Sequence, residues 1–270
     1  MPEGPEIRRA ADTLQKAVGG QIIQSAFFAF PELKKYQRSL VGQRIERITC
    51  HGKALLTQFQ NGLTLYSHNQ LYGVWKVCAP DKSISTNRSL RAGIHTAKKS
   101  ILLFSASDIA MWKTSKLNEH PFLSKLGPDI LDENLDPETV ENLLSHPRFM
   151  RRSLTSLLLD QSFLAGMGNY LRSEVLFAAH LSPHQKPADL NISQRQDLAN
   201  ALLDVPRRSY KTRGIKRSSR MQEDYLTDTP DSFRFMVFDR AGLPCLECGE
   251  LVLREELGGR RLYWCQNCQH

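Results

Sequence analysis

The sequence predicts an α+β protein made of an N-terminal helix, an antiparallel β-sandwich domain, a helical domain and a C-terminal β-hairpin. Three observations predict this fold class. Residues 5–18 carry helical periodicity, residues 22–104 read as short strands separated by turns, and the last 26 residues hold two Cys-x-x-Cys pairs. A chain of 270 residues is long enough for two domains and a small third module.

The N-terminal helix is predicted from Pro5 to about Val18, because apolar residues recur there at helical spacing. Gly19 and Gly20 follow and are expected to end it. The apolar positions are Ile7, Ala10, Ala11, Leu14 and Val18.

The β domain is predicted from short runs rich in β-branched and aromatic residues. Asn61-Gly62 lies between two of these runs and is typical of a tight hairpin turn. This density of antiparallel signal favours a β-sandwich or a barrel-like domain. The predicted strands include Ile22–Phe30, Arg44–Cys50, Ala54–Phe59, Leu63–Ser67, Val74–Val77 and Ile101–Phe104.

The pattern becomes helical after residues 121–132, where helix-breaking residues indicate a domain boundary. Asp136 is predicted to cap the first helix and Pro137 to start it. Further helices are expected over residues 153–160, up to about residue 180, and over residues 193–205. Residues 233–238 are expected to continue as a strand into the C-terminal hairpin.

Two glycines precede Asn169 at the predicted start of a helix, in the run Gly166-Met167-Gly168-Asn169. Such a start leaves backbone N–H groups free, and these could hold a phosphate. The plainer interpretation makes Asn169 a helix N-cap.

The C-terminal cysteines Cys245, Cys248, Cys265 and Cys268 form two pairs separated by 16 residues, a spacing that predicts one tetrahedral zinc site. The alternative is four reduced thiols without metal. With all four positions filled by protein, the zinc would be structural. Gly258-Gly259 predicts a two-residue hairpin turn between the pairs, with Arg260 and Arg261 at its tip. The other two cysteines, Cys50 and Cys78, are expected to be buried or half-buried thiols.

A formal net charge of +8 favours a polyanionic partner, with nucleic acid first and an anionic membrane second. Plain solubility is the alternative explanation. The most basic stretch is residues 207–220, which we interpret as phosphate-contacting. Without an apolar run of membrane-spanning length or a leader, the protein is expected to be cytoplasmic.

The N-terminal Pro2-Glu3 pair has a plain interpretation as a helix entry, where both residue types are favoured. The chemical interpretation depends on removal of Met1, which a small second residue permits. Pro2 would then carry a secondary amine, able to attack a sugar aldehyde carbon and form a cationic iminium. Glu3 could move protons beside it.

Two segments of the β domain are also candidates. Lys53 follows a tight turn, and its plain interpretation is an exposed lysine at a strand end. Gln70, Leu71 and Tyr72 lie on a predicted loop, where Leu71 and Tyr72 could simply pack in a hairpin. The functional alternative is a wedge that fills the gap left in a duplex when a base is extruded.

Together these motifs resemble one family, the formamidopyrimidine-DNA glycosylases and endonucleases VIII of base-excision repair. The resemblance spans the whole chain: the Pro-Glu-Gly-Pro-Glu start, the Gly52-Lys53 turn, the segment 164–172 and the cysteine hairpin with Gly258-Gly259-Arg260. It implies a helix on a β-sandwich, a helix–two-turns–helix domain and a zinc finger, with DNA between the domains. The implied bounds are residues 1–124, a linker at 125–132, residues 133–222 and residues 233–270.

The contiguous Gln70-Leu71-Tyr72 and the closing Tyr-Trp-Cys-x-x-Cys-Gln-His are similar to the endonuclease VIII branch of the family, which acts on oxidised pyrimidines. Lys125 is a departure, since that branch has an arginine before Gly-Pro-Asp. A lysine keeps the positive charge but loses bidentate phosphate geometry.

The resemblance implies that Pro2 attacks C1′ of a flipped nucleotide and that Glu3 supplies protons while the base leaves. β- and δ-Elimination then cleave the strand, with Lys53 and Arg260 as phosphate-binding and proton-donating partners. Asn169 and Lys125 would clamp phosphates, and Glu6 would support the site near Pro2. The expected partner of this monomer is duplex DNA with oxidised bases or abasic sites, and no redox cofactor is expected.

Two alternatives stay open at this level. A purine-directed glycosylase of the same family would differ in base preference. A non-catalytic zinc-containing DNA-binding protein would bind DNA in a salt-sensitive way without a covalent intermediate, and it would leave the Pro2-Glu3 start without a purpose.

Overall fold

A computed structural model describes residues 2–80, 82–212 and 233–270. The chain divides into two compact units. The first holds Pro2 and residues 6–125, and the second holds residues 3–5 together with the described residues from Leu126 onward. The division falls inside the predicted linker 125–132, and the predicted helical domain 133–222 and basic stretch 207–220 both run past residue 212 into positions outside the described residues.

Helix α1 covers Gly4–Val18 and starts one residue before its predicted first residue. Ile7, Ala11, Leu14 and Val18 are almost fully buried on one side of it. The helical periodicity of the sequence therefore identified the packed face correctly.

Among its described residues, the first unit contains eight strands and two short α-helices. Two strands and both short helices escaped prediction, and one of those strands carries Gly93 in its middle, which weakens a strand pattern. The strands are β1 Ile23–Phe28, β2 Ile45–His51, β3 Ala54–Phe59, β4 Leu63–His68, β5 Val74–Cys78, β6 Leu90–Thr96, β7 Ser100–Phe104 and β8 Asp108–Lys113. The helices are α2 Pro31–Lys34 and α3 Tyr36–Leu40.

These strands form two antiparallel four-stranded sheets, in the orders β1-β6-β7-β5 and β2-β3-β4-β8. Apolar side chains from both sheets and from α1 make one shared core, among them Phe28, Phe59 and Ile101. The β-sandwich prediction is therefore confirmed. The turn at Asn61-Gly62 joins β3 to β4 as predicted, and Gly62 has a φ of 74° there.

The second unit is helical and then ends in a hairpin. Asp136 caps its first helix, because its Oδ1 accepts the Thr139 N–H at 2.8 Å. Pro137 occupies the first position, so both predictions at this helix start are confirmed. The helix predicted over residues 153–160 is only four residues long. The helices are α4 Pro137–Ser145, α5 Leu154–Leu157, α6 Asn169–Ala178 and α7 Ile192–Lys211.

Helix α7 runs six residues past its predicted end at residue 205 and contains Pro206. A proline inside a helix forfeits one backbone hydrogen bond and costs about 3 kcal/mol. Burial of Pro206 and the 3.0 Å hydrogen bond between the hydroxyls of Ser209 and Tyr170 help to offset this cost. Arg207 also donates to the carbonyl of Leu135 at 2.8 Å, so the end predicted at the proline was wrong.

The strand predicted over residues 233–238 was also wrong. The backbone N–H groups of Met236, Val237 and Phe238 all donate to the Glu174 carboxylate, at 2.8–3.1 Å. Successive N–H groups of a strand point in opposite directions, so three in a row reach one acceptor only in a turn-like backbone.

The C-terminal hairpin consists of β9 Leu253–Leu257 and β10 Arg260–Trp264. Gly258 and Gly259 between them have φ values of 60° and 71°, the left-handed pair that a two-residue hairpin turn requires. The predicted turn is therefore confirmed. No helix within the described residues is both long and apolar enough to cross a bilayer.

Candidate functional site

The four C-terminal cysteines converge at the base of the hairpin. Their sulfurs all lie within 4.8 Å of one another, with 3.8 Å between Cys245 and Cys268 and 3.5 Å between Cys248 and Cys265. A tetrahedral zinc with bonds of about 2.3 Å sets its ligands about 3.8 Å apart, so the group fits one Zn²⁺. Because four thiolates fill the coordination sphere, this zinc is structural, as predicted.

Glu3 is nearly fully buried and caps the N-terminus of α6. Its Oε1 accepts the Tyr170 N–H at 2.9 Å, and its Oε2 accepts the Leu171 N–H at 3.2 Å. The N–H of Gly4 donates to the Gly166 carbonyl at 2.9 Å beside this contact. Residues 3–5 are thereby tied to the start of α6.

Gly168 makes this cap possible, because a Cβ atom there would lie 2.2 Å from Cδ of Glu3. Gly168 is also the N-cap residue, so the interpretation of Asn169 as N-cap was wrong. The N–H groups of Tyr170 and Leu171, which we expected to be open to a phosphate, are bonded to Glu3 instead.

Asn169 faces the hairpin. Its Nδ2 donates to the Arg261 carbonyl at 2.6 Å, and its Oδ1 accepts from Arg172 at 2.7 Å. Arg172 donates to the Arg261 carbonyl as well, at 3.0 Å. The side chain of Asn169 therefore joins α6 to β10, and its amide keeps a second hydrogen for a further acceptor.

Arg172 is completely buried, whereas Arg260 is exposed at the start of β10. Burial, and after it the positive charge of Arg260, lower the pKa of Arg172 to about 10, while Glu3 opposes both. Arg152, Arg172 and Arg260 line a cavity of about 520 Å³ together with Asp160, whose carboxylate pairs with Arg152. This part of the second unit is consequently electropositive.

Lys53 lies in the turn directly before β3 and follows Gly52, whose φ of 57° makes the turn tight. Lys53 is only 5% exposed, which contradicts its plain interpretation as an exposed lysine at a strand end. Burial lowers the pKa of His68, Asp108 raises it, and the charge of Lys53 lowers it further. Lys53 therefore brings a positive charge close to β4 inside the first unit.

The remaining predicted residues Pro2, Glu6 and Lys125 belong to the first unit. Pro2 is half-buried, and Glu6 accepts from Arg9 at 2.7 Å along the same helix. Lys125 is exposed at the end of a short 3-10 helix, Leu123–Lys125.

Gln70, Leu71 and Tyr72 form an exposed loop between β4 and β5. Leu71 is 64% exposed and Tyr72 is 69% exposed, so these large side chains are not packed in the hairpin. The interpretation as ordinary hairpin packing was therefore wrong. An exposed leucine and tyrosine side by side are suited to contact a partner.

Sequence reasoning missed three residues that hold these elements in place: His68, Arg172 and Glu174. Arg172 and Glu174 lie in a stretch of α6 that is buried from Tyr170 to Phe177. Two charges inside an otherwise apolar helix were the available signal, because buried charges need partners. His68 stands directly before the exposed loop and offered no local pattern.

Comparison with family models matches three parts of the chain. Residues 1–107 match the N-terminal domain of formamidopyrimidine-DNA glycosylase. Residues 126–220 match the H2TH domain of the same family. Residues 242–270 match a zinc finger found in FPG and IleRS.

Curated relatives match over the entire chain. A protein named Endonuclease 8 from Escherichia coli O17:K52:H18 is 52% identical over 270 residues, covering all of both chains. Endonuclease 8 from Shigella sonnei is 51% identical, again over all of both chains. The similarity therefore includes every domain.

Solved structures share the fold. Wild-type Lactococcus lactis Fpg, in complex with DNA containing N7-benzyl-Fapy-dG, has a TM-score of 0.83 at 21% identity and covers all of both chains. A second structure of Lactococcus lactis Fpg, bound to DNA with an abasic site, has a TM-score of 0.82 at 21% identity over 99% of both chains. At this identity the likeness concerns the fold alone.

Proposed function

The chain belongs to the formamidopyrimidine-DNA glycosylase and endonuclease VIII family of DNA glycosylases and AP lyases, and from this premise we propose that it removes oxidised pyrimidines from duplex DNA. We also propose that it cleaves the strand by β,δ-elimination through a Schiff base on Pro2. The relatives named Endonuclease 8, at 51–52% identity over the full length, support the choice of this branch.

The observation that carries the proposal is the anchored N-terminus. Two backbone N–H groups at the start of α6 hold the carboxylate of Glu3, and Gly168 leaves the space for it. Pro2 directly precedes Glu3 in the chain, so this anchor limits how far its nitrogen can move. A nucleophile held in place loses little freedom when it attacks, which lowers the barrier.

In the proposed reaction the Pro2 nitrogen attacks C1′ of the damaged nucleotide, and the bond from C1′ to the base breaks. The C1′–O4′ bond of the sugar then breaks to leave an iminium at C1′, and Glu3 supplies the proton that O4′ takes up. The resulting iminium accepts the electron pair released when C2′ loses a proton, and the 3′ phosphate leaves. A second elimination expels the 5′ phosphate. Only a Pro2 nitrogen freed from Met1 can carry out the first step.

Lys53 and Arg260 are proposed to bind phosphates and donate protons in these steps. The electropositive surroundings of Arg260 and Arg172 favour an anion there. Asn169 retains one amide hydrogen for a phosphate, and exposed Lys125 supplies a further positive charge. Glu6 is proposed to support the site near Pro2.

Gln70, Leu71 and Tyr72 are proposed to fill the duplex where the damaged nucleotide is turned out. Their exposure supports this role, since an apolar wedge has to be displayed before DNA binds. The proposed partner is duplex DNA that contains oxidised bases or abasic sites. The proposed domain bounds are those stated above, with the protein acting as a monomer in the cytoplasm.

Borohydride trapping tests the proposal. The zinc-loaded protein is incubated with a duplex carrying an oxidised thymine, reduced, digested and mapped by mass spectrometry. We expect a covalent adduct on an N-terminal Pro2. Salt-dependent DNA binding without an adduct, in protein shown by intact mass to lack Met1, would mean that the chain binds DNA without catalysis.

A parallel duplex with an oxidised guanine separates the branches. Faster trapping on the guanine lesion would assign the purine-directed activity instead. Lactococcus lactis Fpg has been solved in complex with DNA containing an oxidised pyrimidine, so binding of such a lesion does not separate the two branches. The trapping rates on the two lesions are therefore compared.

Glu3→Gln is the matched variant, because it keeps the shape of the side chain and one of its acceptor oxygens. We expect base excision to fall at least 100-fold while affinity for an abasic duplex changes less than 3-fold, since general acid–base catalysis is worth about 10²–10⁴. Equal losses of excision and binding would point to misfolding. Sedimentation velocity of the same samples measures the proposed monomer directly.

A further inference from the structure

The loop that carries Gln70, Leu71 and Tyr72 is stabilised by side chains that lie outside these three residues. Gln70 has a φ of 49°, a left-handed conformation that is unfavourable for a non-glycine residue. A strained residue of this kind persists only where its surroundings hold it. The side chains of His68 and Arg88 contact the backbone of this loop, Ser107 contacts the side chain of Gln70, and none of the three belongs to the proposed wedge.

The first contact is with His68. Its Nδ1 accepts the backbone N–H of Gln70 at 3.1 Å. The carbonyl of Asn69 accepts the N–H of Gly73 at 2.7 Å and closes the turn. A Cβ on Gly73 would lie only 2.5 Å from that carbonyl oxygen, so the turn closes this tightly because residue 73 has no side chain.

The second contact is with Arg88, whose guanidinium donates to the Tyr72 carbonyl. These two contacts hold the backbone of the loop at Gln70 and at Tyr72. They leave the side chains of Leu71 and Tyr72 exposed.

The third contact acts on the side chain of Gln70 itself. Ser107, in the turn between β7 and β8, has its hydroxyl 2.8 Å from Oε1 of Gln70. An exposed glutamine otherwise samples several rotamers, and ordering such a side chain on binding costs conformational entropy. The serine removes part of that cost before any partner arrives.

We infer that Ser107 is a positioning residue that presets the amide of Gln70 for the base left unpaired when a nucleotide is extruded. This inference rests on the proposed function, because it assumes that Gln70 enters the duplex. Glutamine hydrogen-bonds base edges through its amide. A preset amide favours those opposite bases whose edge it matches, so Ser107 influences opposite-base preference without touching DNA.

Ser107→Ala tests the inference, with Ser107→Thr as the rescue variant that keeps the hydroxyl. Ser105→Ala is the control, because Ser105 lies two positions earlier in the chain and makes no described contact with Gln70. Single-turnover excision of an oxidised thymine is measured opposite each of the four bases and also in single-stranded DNA. A single strand has no unpaired opposite base and no gap to fill.

We expect Ser107→Ala to slow duplex excision about 5-fold opposite the preferred base, equivalent to about 1 kcal/mol at 1.4 kcal/mol per factor of ten. The differences in excision rate among the four opposite bases should become smaller, while the rate on single-stranded DNA stays unchanged. Ser107→Thr should restore both the duplex excision rate and the preference among the opposite bases. A double variant with Gln70→Ala should be no slower than Gln70→Ala alone, because both act through one contact.

Wild-type rates and preference in Ser107→Ala would overturn the inference. An equal loss on single strands would also overturn it, since the serine would then serve stability alone. If the wild-type protein itself forms no adduct and excises no oxidised pyrimidine, the proposed function fails instead, and that outcome is visible before any variant is compared.

Discussion

The backbone N–H groups of Met236, Val237 and Phe238 form a cradle around the carboxylate of Glu174, and this cradle allows a quantitative prediction. Its Oε1 accepts the N–H groups of Val237 at 3.1 Å and Phe238 at 2.8 Å, and its Oε2 accepts that of Met236 at 2.9 Å. Glu174→Gln keeps the shape and two of these bonds. It places an NH₂ group against the Met236 N–H, which leaves a buried donor without an acceptor.

The cost follows from these contacts. A buried unsatisfied donor costs about 1–3 kcal/mol, and each hydrogen bond that loses its charge weakens by about 1 kcal/mol. Burial raises the pKa of Glu174, while the three N–H donors and Arg208 oppose that rise. The cost of burying the charge disappears with glutamine and offsets part of the loss. We expect the free energy of unfolding to fall by about 3 kcal/mol.

Val237 packs in the same apolar cluster as Cys245 and Cys265, so the variant should also loosen the zinc module. Urea unfolding measures the free energy, and a colorimetric chelator measures the rate of zinc release. Glu256→Gln is the control, because Glu256 is exposed on β9 and the chemical change is identical. An unfolding free energy within 0.5 kcal/mol of wild type, with unchanged zinc release, would refute the reasoning, since it would mean that the cradle does not depend on the charge.

Three further predictions follow from other contacts. Gly168→Ala should reduce base excision at least 100-fold in a single-turnover assay while zinc content stays normal, because its Cβ would displace Glu3; near-normal excision would contradict this account of the cap. Burial lowers the pKa of both His68 and His120, with Asp108 opposing in each case. The unfolded chain takes up these protons near pH 6.5 while the folded chain does not, so the free energy of unfolding should fall as the pH drops from 7 to 5; a flat profile in urea titrations, or rings that titrate normally by NMR, would contradict this. Cys265→Ser should release zinc and abolish DNA binding, because the hairpin is held by the metal; full binding in a zinc-free variant would exclude that dependence.

Features that depend on residues close together in the sequence were predictable from the sequence alone. The cap at Asp136, the turn at Asn61-Gly62 and the turn at Gly258-Gly259 appear where their local chemistry required them. The four cysteines needed only their spacing to indicate one metal site. Local rules failed at Pro206, where burial in the second unit outweighs the cost of a proline inside a helix.

The sequence by itself therefore determined the fold class, the zinc module and the family, because these depend on periodicity, spacing and residue type. Only the tertiary structure decided what Glu3 and Glu174 do. Glu3 meets N–H groups 167 and 168 positions away, and Glu174 meets N–H groups 62 to 64 positions away. Almost every residue supplies a backbone N–H, so such a donor leaves no mark in the sequence. The partner of a buried carboxylate becomes visible only when the chain has folded around it.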